Sequence, residues 1–166
     1  MNTSRNIKLI IVGSSRTEKA RIYSYLTGNQ YEQYFETYGG FDIVPLKKFL
    51  QLQDQVTGNI QILDTAGMDR FIQANSDSYR KAQIVLIVFS FSDQDSFDKS
   101  QFYTKCIQEY CNAIILLIGT RFADEQIISV DEVIDFAQLN DFQFFELKND
   151  NFDALKTLVQ YYNIEY

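Results

Sequence analysis

Chemistry is first suggested by "GSSRTEKA", Gly13 to Ala20, directly after the apolar run "IKLIIV". Its length is that of the phosphate-wrapping loop G-x-x-x-x-G-K-[ST]. There, backbone amides and a lysine hold the anion and a final hydroxyl ligates Mg²⁺. The last three places hold Glu18, Lys19 and Ala20 instead, so Gly13 and the lysine alone keep the motif's chemistry. Glu18 adds a carboxylate within about one turn of the phosphate position. At about 4 to 6 Å and an effective dielectric near 20, two like charges repel by about 3 to 4 kcal/mol. The methyl of Ala20 cannot coordinate a metal. Lys19 reads either as a contact to terminal phosphates or as a solvated cation near a helix start.

A loop of this kind must be held between a strand and a helix, and the rest of the chain alternates such elements. "IKLIIVG" (7–13), "NIQILD" (59–64), "IVLIVFSF" (84–91), "AIILLIG" (113–119) and "FQFFEL" (142–147) are short apolar runs, as expected of strands buried on both faces of a parallel sheet. Between and after them, helical spacing recurs at 18–28, 71–82, 95–111, 129–140 and 151–163, the fourth opening with Ser129 and Glu132 in capping-box register. Two extended segments, 41–52 and 59–64, flank the turn-like "DQVTGN" and read as a hairpin that adds an edge strand, where Pro45 is tolerated. The expectation is an α/β fold in one domain, 1–166: a six-stranded, mostly parallel sheet with one antiparallel edge strand and about five helices.

Composition narrows the function. The 166 residues are 46% apolar and 22% charged with a single proline, which is globular, and a net charge of −7 with scattered cations offers no stripe for nucleic acid or anionic lipid. Cys106 and Cys111 lie about 140° apart around a helix and read as two buried, reduced thiols. There is no signal-peptide pattern, no apolar stretch of about 20 residues, no Gly at position 2 and no terminal cysteine. The expected location is cytoplasmic, with no direct membrane anchor.

"ILDTAGMDRF" (62–71) carries the identification, with "FETYGGFDI" (35–43) and "SDQDSFD" (92–98) beside it. In this order, and after the degenerate loop, these motifs resemble the Ras superfamily of small GTPases, most of all its Rab branch. The resemblance covers essentially the whole chain and implies the small-GTPase (P-loop NTPase) fold. It places Thr37 and Asp64 at metal-associated positions and Gly67 at the DTAG glycine, and it adds a third reading of Lys19, as an ion-pair partner of Asp64. Met68 stands where the family has the glutamine that orients the attacking water, and a thioether cannot do that work. The family's guanine-reading Asn-Lys-x-Asp corresponds to Thr120, Arg121, Phe122 and Ala123; Asp124 restores an acceptor only through a one-residue slip, and Arg121 is left to stack on a base. "ELKND" (146–150) replaces Ser-Ala-Lys with bulkier residues.

Losing two charge-assisted hydrogen bonds to the base removes about 3 to 6 kcal/mol, or about 10² to 10⁴ in affinity. The resemblance and its departures together predict a Rab-like pseudo-GTPase that acts as a protein-interaction subunit, in a larger complex, with no cofactor, no catalytic residue and a weak or vacant Mg²⁺ site. The alternative is a divergent small GTPase that binds Mg-GTP or GDP weakly and switches slowly. Partner contacts fall to the aromatic switch regions, through Tyr34, Phe35, Tyr38 and Phe41, with Met68 and Phe71.

Overall fold

The computed structural model describes residues 7–14, 16–27, 49–52, 56–62 and 79–164. In chain order these form β1 (Ile7–Gly13), α1 (Lys19–Thr27), β2 (Phe49–Leu52), β3 (Val56–Ile62), β4 (Ile84–Ser90), α2 (Gln94–Tyr110), β5 (Ile114–Thr120), α3 (Val130–Leu139), β6 (Gln143–Leu147) and α4 (Phe152–Ile164). The sheet is six-stranded in the order β2-β3-β1-β4-β5-β6. Every pair is parallel except the edge pair β2 with β3.

Alternation along the central strands explains why helices cover both faces. Ile10 and Val12 of β1, Val85, Ile87 and Phe89 of β4 and Ile115 and Leu117 of β5 point to one side. There they pack with Phe97, Tyr103 and Ile107 of α2 and Val133 and Ala137 of α3. Their neighbours Leu9, Ile11, Ile84, Leu86, Val88, Leu116 and Ile118 point to the other, against Ile22, Tyr23 and Leu26 of α1 and Phe152 and Leu155 of α4. A strand buried on both faces needs apolar residues throughout, and the runs have that composition.

The helices start where their caps allow. Asp93 accepts from the Ser96 amide at the start of α2, and Ser129 Oγ accepts from the Glu132 amide at 3.1 Å at the start of α3. The hairpin differs from expectation in where it turns. Val56 to Asn59 are strand, with Leu52 opposite Val56 and Phe49 opposite Asn59, so the last four residues of "DQVTGN" belong to the ladder and not to a turn. The β-branched Val56 and Thr57 favour the ladder over a turn. Pro45 and most of the helix expected at 71–82 lie outside the described residues, where Tyr79 and Arg80 alone are helical. Among the described residues Cys106 and Cys111 form no disulfide, and both are half-buried rather than buried.

Because β1, β4, β5 and β6 are parallel, their carboxyl ends lie along one edge of the sheet. Gly13 pairs with Val88, Ser90 with Thr120, and Thr120 with Leu147. In open parallel sheets, ligands bind outside this edge, near the strand where the chain's winding direction reverses. Here that strand is β1, with β3 on one side and β4 on the other.

Candidate nucleotide site

Three loops meet at this edge: Ser14 to Glu18 after β1, Arg121 onward after β5, and Lys148 to Asn151 after β6. Arg16 and Glu18 take φ of 63° and 67°, a left-handed conformation that only glycine adopts freely. Glu18 is thus forced into the geometry that the motif's second glycine would accept without strain. Gly13 has no room for anything larger, since a Cβ there would stand 2.3 Å from the Val88 carbonyl oxygen. Thr17, fully buried, donates to the Ser14 carbonyl at 2.7 Å, while the buried Ser14 hydroxyl has no hydrogen-bond partner.

Lys19 is only 7% exposed, and its Nζ lies 2.6 Å from both the Gly13 and the Ser14 carbonyl oxygens. The solvated-lysine reading is therefore overturned, because the ammonium lies back across its own loop. Glu18 is exposed, so water screens its carboxylate and its repulsion toward a phosphate falls to about 1 kcal/mol in a water-like dielectric. Ala20 is half-buried at the place of the metal-ligating hydroxyl. Among the described residues, no group of three or more His, Cys, Asp or Glu could hold a metal ion. Thr37, Asp64 and Gly67 lie outside the described residues, as do Met68, Tyr34, Phe35, Tyr38, Phe41 and Phe71.

The residues aligned with the base motif make contacts within the protein. Thr120 is buried and donates to the Phe89 carbonyl at 3.1 Å. Arg121 does not project as a free stacking surface. Its guanidinium lies 4.7 Å from the Phe91 ring centroid, its Nε is 2.7 Å from Glu146 Oε1, and its amide donates to the Leu147 carbonyl at 2.9 Å. The Nε contact is a close charge pair without hydrogen-bond alignment. Ala123 and Asp124 are exposed.

Sequence reasoning missed the residues that join the start of α1 to the loops after β5 and β6. Arg21, in the first turn of α1, places its guanidinium 4.4 Å from the Phe122 centroid and 5.2 Å from that of Phe152, and donates to Asn149 Oδ1 at 2.8 Å. Phe122 and Phe152 are parallel, 2° apart with centroids at 5.9 Å. Tyr25 lies against Phe152 at 4.9 Å and donates to Asp153, a bond that holds its hydroxyl protonated above the usual tyrosine range. Arg21 and Asn149 are 128 residues apart, and nothing local to either marks the pair.

A mostly parallel sheet with a phosphate-type loop between its first strand and first helix defines the class of P-loop nucleotide-binding folds. The chain belongs to the Ras family, which it matches over residues 8–161. It is similar to the Ras-related protein Rab-1 of Theileria parva, with 32% identity over 146 residues, covering 84% of this chain and 64% of that protein. The GTP-binding protein YPT1 of Saccharomyces cerevisiae is 30% identical over 145 residues, covering 84% and 68%. The Ras-related protein RabC of Dictyostelium discoideum is 30% identical over 116 residues, covering 69% and 59%. The chain thus spans about two thirds of the length of these relatives, and it is a Rab-like member of the small-GTPase family.

Magnesium and a guanine nucleotide are what this family implies, and the described residues fit them only in part. The loop's backbone and Lys19 suit a phosphate. Ala20 removes a metal ligand, Ala123 offers the base edge no acceptor, and Arg21 spans the space between the base-motif loops.

Proposed function

We propose that this protein is a Rab-like pseudo-GTPase, a small-GTPase fold with little or no nucleotide binding and negligible hydrolysis, working as a protein-interaction subunit in a larger assembly. The observation that carries the reading is the loop after β5. It turns Arg121 onto Phe91 and Glu146, and the sequence resemblance aligns Ala123 with the carboxylate that reads guanine in the family. Asp124, an acceptor one place further on, is exposed. The absence of a water-orienting side chain at Met68 argues the same way for hydrolysis. Partner contact falls to the switch aromatics Tyr34, Phe35, Tyr38 and Phe41, with Met68 and Phe71, residue types favoured at interface anchors. Among the described residues, no helix is long and apolar enough to cross a membrane, and Cys106 and Cys111, which form no disulfide there, suit a reducing compartment such as the cytoplasm.

The slow-switch reading has one observation in its favour, the retained phosphate-loop backbone with φ of 63° and 67° and Lys19 drawn over it. Thermal unfolding alone and with Mg²⁺-GTP, Mg²⁺-GDP or Mg²⁺-ATP, with an assay for nucleotide released on denaturation, separates the two. A nucleotide at about 100 times its Kd adds about 2.7 kcal/mol, or about 5 to 10 °C for a domain of this size. The pseudo-GTPase shows no shift and releases nothing. A guanine-specific shift or co-purified GDP would establish the switch.

A further inference from the structure

We infer that Arg21, an exposed side chain at the protein's own surface, acts as a stand-in for the base, tying the first turn of α1 to the loops after β5 and β6 in the nucleotide-free protein. A base holds such loops together by presenting a flat face for stacking and an edge for hydrogen bonding. The guanidinium is also flat and does both. Its face lies 4.4 Å from the Phe122 ring centroid on the β5 loop, and its edge donates to Asn149 Oδ1 at 2.8 Å on the β6 loop. The polarity matches guanine reading, since the tie donates and the protein supplies the acceptor, here Asn149 on the β6 loop.

The surroundings are built to keep it there. Phe152, at the start of α4, backs Phe122 in a parallel stack and receives the same guanidinium at 5.2 Å. Tyr25, one turn along α1 from Arg21, braces Phe152 from the other direction and is itself fixed to Asp153. Asn149 sits in a turn pinned by its neighbour Asn151, whose side chain accepts from the Lys148 amide at 2.7 Å and donates to the Glu146 carbonyl at 2.9 Å. One side chain therefore couples three elements that the sheet alone leaves joined only through their strand ends.

This inference rests on the pseudo-GTPase reading, and its test is independent of it. Amide hydrogen exchange is measured on nucleotide-stripped protein for the Arg121 amide, bonded to Leu147 O, and the Lys148 amide, bonded to Asn151 Oδ1. Arg21→Ala is expected to speed both about tenfold, which corresponds to about 1.4 kcal/mol, while the amides of Val85 to Val88 keep their protection. Arg21→Lys keeps the charge but not the plane and does not restore the rates. Unchanged rates in Arg21→Ala, or full restoration by lysine, would overturn the inference. Should Arg21→Ala fail to fold, Asn149→Ala removes only the edge acceptor, on an exposed loop. It raises the Lys148 rate severalfold if the tie exists and leaves it unchanged if not. Guanine nucleotide found on the wild-type chain would sink the proposed function, while the exchange comparison would still decide the role of Arg21.

Discussion

Glu18 shows at the scale of one residue what the degenerate loop has cost. Its φ of 67° places a side chain in a conformation worth about 1 to 2 kcal/mol of strain for an L residue. Glycine relieves that strain but loses about 0.5 to 1 kcal/mol through its freer unfolded chain. Glu18→Gly should therefore stabilise the protein by about 0.5 to 1 kcal/mol, raising Tm by about 1 to 4 °C, as read by calorimetry. A fall in Tm would mean that the Glu18 carboxylate makes a stabilising contact that outweighs the strain. Lys19 makes the complementary point. A lysine this buried needs partners for its ammonium, and two loop carbonyls at 2.6 Å supply them, so its retention has a structural reason apart from any phosphate.

At the scale of the element, α2 is the clearest case of a boundary set by local chemistry. Its 17 residues begin at an Asp93 cap that accepts from the Ser96 amide, and Ser96 Oγ donates back to the Asp93 carbonyl at 2.7 Å. The same hydroxyl accepts from the Ser90 amide at 2.9 Å and so ties the helix start to the end of β4. Asp93→Ala should cost about 1 kcal/mol, lowering Tm by about 2 to 4 °C, whereas Asp93→Asn, which keeps an acceptor, should lose far less. Equal losses in the two variants would show that the charge at the helix N-terminus matters more than the capping bond.

At the scale of the whole molecule, the candidate site exists only because parallel strands bring three loops to one edge. That arrangement alters what repair requires. Restoring the motif residues alone, by Glu18→Gly, Ala20→Ser and Ala123→Asp, leaves Arg21 between the base loops. The triple variant is therefore expected to bind a fluorescent GDP analogue weakly or not at all, and the addition of Arg21→Ala to improve binding by at least about tenfold. Strong binding by the triple variant would show that Arg21 yields freely to a base.

The sequence by itself determined the architecture. Strands buried on both faces must be apolar at every position, helices must repeat at 3.6, and caps such as Ser129 are local, so β1, β4, β5, β6 and the four described helices were legible to within a residue or two. The hairpin turn was misplaced because Gly58 and Asn59 look like turn residues, and only pairing with Leu50 and Phe49 shows them to be strand. Motif spacing likewise marked Gly13, Glu18, Lys19 and Ala20 as members of one loop. What only the tertiary structure decided was where long side chains went: Lys19 back onto its own carbonyls, Arg121 onto Phe91 and Glu146, and Arg21 across 128 residues to Asn149. Periodicity and caps are properties of neighbours in the chain, whereas the partner of a flexible cation is selected by which loops the sheet brings within its reach.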